Sequence, residues 1–177
     1  VEPIAGHSGC GDHLVMRSSW GQDAPGILVL SHLDTVHPMG FIERLPFRID
    51  GDSAFGPGIY DMKGGAYLAF CAYRAIAAGP TPNSLPVRFL YVSDEETGSH
   101  TSRALIESEA ARSDAVLVLE PALAGGALKT SRKGCGQYEV TVRGVSAHAG
   151  VDPRKGVNAI RELAHQVLAV DAIRDLD

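Results

Sequence analysis

The chain has 177 residues, 45% hydrophobic and 21% charged, which is enough apolar material for one good-sized core or for one domain with part of a second. Sixteen basic against 21 acidic residues give a net charge of −5 with no basic run, which argues against nucleic acid or an anionic membrane as partner. No apolar segment reaches the ~18 residues that a membrane helix needs. The opening VEPIAGHSG carries no signal-peptide pattern, so a cytoplasmic protein is expected, or a periplasmic one if a leader has been removed. Cys10, Cys71 and Cys135 are odd in number and widely spaced, and read as reduced structural thiols.

In chain order, GILVLSH at 26–32 is apolar on both faces and reads as a central strand of a covered sheet. DMKGGAYLAFCAYRAIAAGP at 61–80 is rich in alanine, apolar nearly all round and stopped by Gly79-Pro80, which predicts a buried helix. VRFLYVSDEE at 87–96 predicts a second strand, TSRALIESEAAR at 101–112 a more exposed helix, and AVLVLE at 115–120 a third strand. Strands alternating with helices imply an α/β fold whose central sheet is mostly parallel and flanked by helices. The character changes near PALAGG at 121–126. CGQYEVTVRGV at 135–145 alternates Tyr138, Val140 and Val142, predicting a half-buried strand, and a helix from about Gly156 sets Ile160, Leu163, Val167 and Val170 on one face. This strand and helix bury little by themselves and read as the opening of a second domain, so the expected division is 1–127 and 128–177.

Ligands of such sheets gather at the carboxyl ends of the strands. Here the three predicted strands end in His32, in Glu95–Glu96 and in Glu120. Each group has a plain reading when taken singly. His32 with Asp34 fits a surface turn, Asp61 a helix cap beside a solvated Lys63, Asp94–Glu96 an acidic loop open to water, and Glu120 a strand-end charge. Jointly they bring imidazole and carboxylates to one sheet edge, a donor set that suits zinc, with cobalt or manganese possible. Two metals sharing a carboxylate would neutralise the cluster and polarise a carbonyl. His32 and Asp34, two apart on extended backbone, point to one side, where the carboxylate can orient the imidazole. Adjacent Glu95 and Glu96 would face opposite ways, one to metal and one to substrate. Asp94 is left to support the turn.

SHLDTVHP (31–38), GPGIYDMKGG (56–65), SDEETGS (93–99), VLEP (118–121) and SAHAGVDPRKGVNA (146–159) together resemble the zinc aminoacylase/carboxypeptidase family in order and spacing. That family includes glutamate carboxypeptidases, acetylornithine deacetylases and succinyl-diaminopimelate desuccinylases. The resemblance covers nearly the whole chain. It implies a zinc-exopeptidase-like catalytic domain, followed by the first strand and helix of an α+β, ferredoxin-like lid domain through which subunits dimerise. His32 and Glu120 would bind one zinc, Glu96 the second, and Asp61 would bridge both, followed by a cis peptide. Asp34 would stand behind His32. Glu95 would be the general base, activating a water between the metals and then protonating the leaving amine. His148 would reach the partner subunit's site to stabilise the oxyanion.

The implied activity is removal of a C-terminal amino acid such as glutamate, because a glutamate at the Glu120 position goes with carboxypeptidases and deacylases. An N-acyl-amino-acid deacylase is the alternative, and a metal-free binding relative a further one. The substrate is expected to be a small peptide or N-acyl amino acid, with two zinc ions per full-length subunit. The second zinc's histidine has no counterpart here, since His165 sits mid-helix and His7, His13 and His100 fall outside the motifs. The chain is therefore expected to be part of a longer enzyme and inactive alone.

Overall fold

Three Val- and Leu-rich runs need neighbours on both edges to satisfy their backbones, and the computed structural model, which describes residues 1–21, 24–80 and 85–175, supplies most of them. Its strands are β1 (Glu2–Ile4), β2 (His13–Arg17), β3 (Ile27–His32), β4 (Arg48–Asp50), β5 (Ser53–Phe55), β6 (Val87–Val92) and β7 (Ala115–Val118). Its α-helices are α1 (Gly64–Ala77), α2 (Arg103–Ala111) and α3 (Ala159–Ala172). Two units are distinguished, Val1–Lys129 and Thr130–Asp177.

In the first unit the sheet order is β1-β2-β6-β3-β7, while β4 and β5 form a separate hairpin. The three predicted strands pair in parallel, β6 with β3 and β3 with β7. The two N-terminal strands, too short to read in the sequence, extend the sheet antiparallel along β6. The fold is thus α/β, with helices against the sheet. Period-two alternation divides the strand residues between its faces. Val15, Leu28, Leu90 and Val92 form one core, against which Leu105, Ile106 and Ala110 of α2 pack. Val29 and Phe89 are buried on the other face, where Tyr73 of α1 meets Phe89 edge-on at 5.4 Å and Trp20 stacks on Tyr73 at 5.4 Å. At the far end of α2 the buried Glu109 is met by Arg17 at 3.7 Å, by Arg88 at 3.5 Å and by Arg112.

Several expectations are corrected. The helix predicted over 61–80 begins only at Gly64 and is not buried: Ala66 is its one buried residue, while Tyr67, Leu68, Phe70 and Ile76 are exposed. The third strand is not covered either, since all four residues of β7 are exposed and it lies at a sheet edge. An apolar residue is buried only when another element lies across it, and no described element of this unit does so for these faces. The second strand ends at Val92 rather than reaching Glu96, because Glu95–Thr97 forms a 3₁₀ turn.

In the second unit no strand forms over 135–145. A single antiparallel bridge joins Val145 to Val157, because a strand without a pairing partner leaves its N–H and C=O groups unmatched. The predicted helix is α3, capped by Asn158, whose side chain accepts the Arg161 N–H at 3.0 Å. Its Ile160, Leu163, Val167 and Val170 are exposed within this unit. No described helix is long and apolar enough to cross a membrane.

Two glycines bring the segments together. Gly58, at φ +67°, turns the chain into the Ile59–Lys63 segment. At Gly65 a Cβ would lie 2.1 Å from the Leu119 carbonyl oxygen, so the start of α1 approaches the segment leading to Glu120 only because no side chain intervenes. Gly65→Ala is expected to cost ~1–3 kcal/mol by overpacking, measured as a lower denaturant midpoint with an unchanged slope.

Candidate metal centre

Parallel strands deliver their carboxyl ends to one edge, and the functional side chains collect there. His32 is the last residue of β3, Glu95 opens the turn after β6, and Glu120 lies just past β7. Asp61 arrives from the Ile59–Lys63 turn, where Asp61 and Met62 have non-helical dihedrals and the peptide between them is cis. Asp61 is not the cap of α1, because Lys63 holds that position and no side chain bonds there.

His32 is the hub. Its side chain is only 1% exposed, and Nε2 lies 3.0 Å from Asp61 Oδ1, 3.6 Å from Glu120 Oε1 and 4.0 Å from Glu95 Oε2. The other ring nitrogen, Nδ1, faces the Asp34 backbone carbonyl at 3.0 Å and its carboxylate at 3.5 Å. The carbonyl of Asp34 is therefore the nearer partner of the ring, not the carboxylate that the sequence placed behind it. That carboxylate instead accepts the Glu96 N–H at 2.9 Å through Oδ2, while its Oδ1 is buried without a hydrogen-bond partner. The His32 N–H donates to the Met62 sulfur at 3.3 Å.

Donor atoms of His32, Asp61 and Glu120 all lie within 4.8 Å of one another, and so do those of His32, Glu95 and Glu96. The two glutamates face different cavities, although they leave a 3₁₀ turn rather than a strand. Glu95 lines one of about 180 Å³ with His32, Met62 and Glu120. Glu96 lines one of about 190 Å³ with Asp61. His148 lies in the second unit and is exposed, its Nδ1 accepting the Gly150 N–H at 3.2 Å.

The electrostatics show carboxylates crowded together. Burial raises the Glu95 pKa above its ordinary value, and the charges of Glu96, Asp34 and Asp61 add to this against the opposing pull of His32. Burial and the nearby Asp61 raise that of Glu120. Burial works to lower the His32 pKa, but its contacts with Asp61 and the Asp34 carbonyl and the charges of Glu95 and Asp34 outweigh it, leaving it raised. One imidazole among several carboxylates, with an orphaned carboxylate oxygen behind them, is a donor set that fits a divalent cation.

A family model for peptidase family M20/M25/M40 matches residues 28–176, which takes in the whole of this constellation. The chain belongs to that family. Carboxypeptidase G2 of Pseudomonas sp. (strain RS-16) is a relative at 37% identity over 166 residues, covering 93% of this chain and 40% of the relative. The chain thus spans about two fifths of the curated relative's length. Aminopeptidase PepT of Bacillus cereus ATCC 10987 superposes with a TM-score of 0.61 at 23% identity, over 94% of this chain and 46% of that one. The M20 metallo-carboxypeptidase Sso-CP2 of Sulfolobus solfataricus does so with a TM-score of 0.54 at 21% identity, over 71% and 30%. At those identities the two structures share the M20 fold with this chain.

Asp94, which the sequence left to support the turn, does so through partners that the sequence did not name. It is 1% exposed, and its Oδ2 accepts the Thr101 N–H at 2.6 Å, the Thr101 hydroxyl at 2.8 Å and the Ser102 N–H at 3.2 Å. Burial alone would raise its pKa, but these donors from Ser102 and Thr101 hold the carboxyl down at about 2. The signal available in the sequence was the Ser and Thr pair opening α2, seven and eight residues on. Asp94→Ala would leave three donors unmatched and is expected to cost ~1–3 kcal/mol, read by thermal or denaturant unfolding.

Proposed function

We propose that the protein carrying this chain is a metal-dependent hydrolase of the carboxypeptidase type, releasing a C-terminal amino acid such as glutamate from a small peptide or related amide. The observation that carries this reading is the gathering of Asp61, Glu95 and Glu120 within 4.0 Å of the His32 Nε2, in a chain 37% identical to carboxypeptidase G2. In this reading His32, Asp61 and Glu120 would hold one zinc ion, and Asp61 and Glu96 would belong to the set of a second. The Asp34 carbonyl and carboxylate orient the His32 ring.

Zinc, when bound, supplies Lewis acidity that lowers the pKa of a water towards ~7 and polarises the amide carbonyl. Glu95 is the general base. It takes one proton from the attacking water and returns it to the amine nitrogen as the C–N bond breaks, so the residue ends as it began. Its 47% exposed carboxylate has the access this requires. Residues from about 128 onward form the opening of the lid, through which two subunits pair, and His148 donates to the developing oxyanion of the partner's site. Because Nδ1 of His148 takes the Gly150 N–H, the ring proton sits on Nε2, which is thus a donor. Such a donor is worth a ~10²–10³-fold rate factor.

Tests use the full-length protein. Glu95→Gln is expected to lower kcat by ~10²–10⁴-fold while zinc per chain, measured by elemental analysis, stays unchanged. Survival of activity would reassign the base. His32→Ala is expected to lower zinc content and to abolish the rise in melting temperature on adding zinc to chelator-treated protein, since a bound cation stabilises by ~2.7 kcal/mol at a hundredfold excess over its Kd. Faster turnover of N-acetyl amino acids than of C-terminal glutamyl amides would make the enzyme a deacylase.

A further inference from the structure

His13 is a buried, titratable residue that the proposed reaction does not use. It opens β2, is 1% exposed, and lies at the same end of the sheet as the turn following β6. The Ser93 N–H donates to its Nδ1 at 3.2 Å. That nitrogen is therefore an acceptor, and the neutral ring carries its proton on Nε2. Nε2 lies 3.0 Å from the Thr101 hydroxyl oxygen, and the Thr101 hydroxyl in turn donates to Asp94 Oδ2 at 2.8 Å. Each donor in the chain has one acceptor, so the orientation of all three side chains is fixed.

The segment this chain ties down is the one bearing Glu95 and Glu96. Asp94 closes both of its ends: the carbonyl accepts the Thr97 N–H at 3.3 Å and the Ser99 N–H at 2.8 Å, and the carboxylate takes Thr101 and Ser102 at the start of α2. On the other side the Glu96 N–H is held by Asp34. Glu95 and Glu96 hang between these anchors, and a displacement of Asp94 carries both with it.

We propose that His13 and Thr101 are positioning residues of the active centre, acting through Asp94 to set the places of Glu95 and Glu96. The proposal rests on the reading of Glu95 as base and Glu96 as metal ligand. It gives a task to a histidine outside every motif, and it makes the N-terminal strands part of the site's construction rather than padding at a sheet edge.

The test compares Thr101→Val, Thr101→Ser, Leu105→Ala and Glu95→Gln in the full-length enzyme. Valine keeps the shape of threonine and deletes the hydroxyl that joins His13 to Asp94. Thr101→Val is expected to lower kcat by ~10- to 100-fold with KM within ~3-fold, since small misplacements of catalytic groups are costly. It is also expected to weaken zinc binding by ~10-fold or more in chelator competition. Thr101→Ser restores both to within ~3-fold of the parent. Leu105→Ala, which thins the packing of α2 on the core without touching the turn, lowers the melting temperature and leaves both readouts in place.

Either loss, if serine restores it and Leu105→Ala lacks it, supports the proposal. Thr101→Val with kcat and zinc affinity both within ~3-fold of the parent overturns it, as does the same loss from Leu105→Ala. Thr101→Ala replaces the valine variant if that fails to fold. An inactive Glu95→Gln beside an unaffected Thr101→Val sinks the positioning role alone, whereas an active Glu95→Gln removes the reading on which it stands.

Discussion

A single buried imidazole surrounded by carboxylates is the constraint around which this structure is arranged. His32 is held at the end of β3 by two flanking parallel strands, so its ring cannot move to relieve its surroundings. Three acids approach its Nε2 and the Asp34 carbonyl meets its Nδ1. Burial first, and then the neighbouring carboxylates, raise the pKa of Glu95 and Glu120. A divalent cation is the economical counter-charge for such a set, and this reasoning joins the geometry to the proposed chemistry.

The acids arrive from separate parts of the chain, each by its own device. Gly58 and the irregular Ile59–Lys63 turn present Asp61, and the bare Cα of Gly65 lets α1 close on the backbone before Glu120. A 3₁₀ turn sends Glu95 and Glu96 to different cavities. Asp94 differs in kind. It stands in the same acidic run as its neighbours, yet its Oδ2 takes three hydrogen-bond donors and its carboxyl is held well below the ordinary carboxylate range. One run of three acids therefore contains a structural carboxylate and two that face open space, and the distinction rests on the partners each meets.

Much of the fold was legible. Val- and Leu-rich runs predicted β3, β6 and β7 and their parallel pairing, since residues apolar on both faces have few other uses. The metal-type cluster was legible for a related reason: His32, Glu95, Glu96 and Glu120 stand directly after those runs, and parallel pairing forces strand ends together. The missed elements share a feature. Glu2–Ile4 and His13–Arg17 are too short for a periodic signal; the second pairs with the edge of β6 and the first with the edge that β2 then offers. The strand read over 135–145 has the alternation but no partner in its unit, and alternation without pairing does not make a strand. The apolar α1 and β7 were read as buried, although burial belongs to the pair of surfaces and not to one of them.

The sequence by itself determined which residues are candidates for chemistry, because residue type and spacing set what can coordinate, accept a proton or turn the chain. It also determined the α/β class, through the alternation of strand and helix periods. Only the tertiary structure decided which neighbour each candidate meets. It set Asp61 3.0 Å from the His32 ring, put the Asp34 carbonyl ahead of its carboxylate, and joined His13 across 88 residues of chain to Thr101, which in turn bonds Asp94. Those outcomes depend on angles and distances between segments far apart in sequence, which local patterns do not encode.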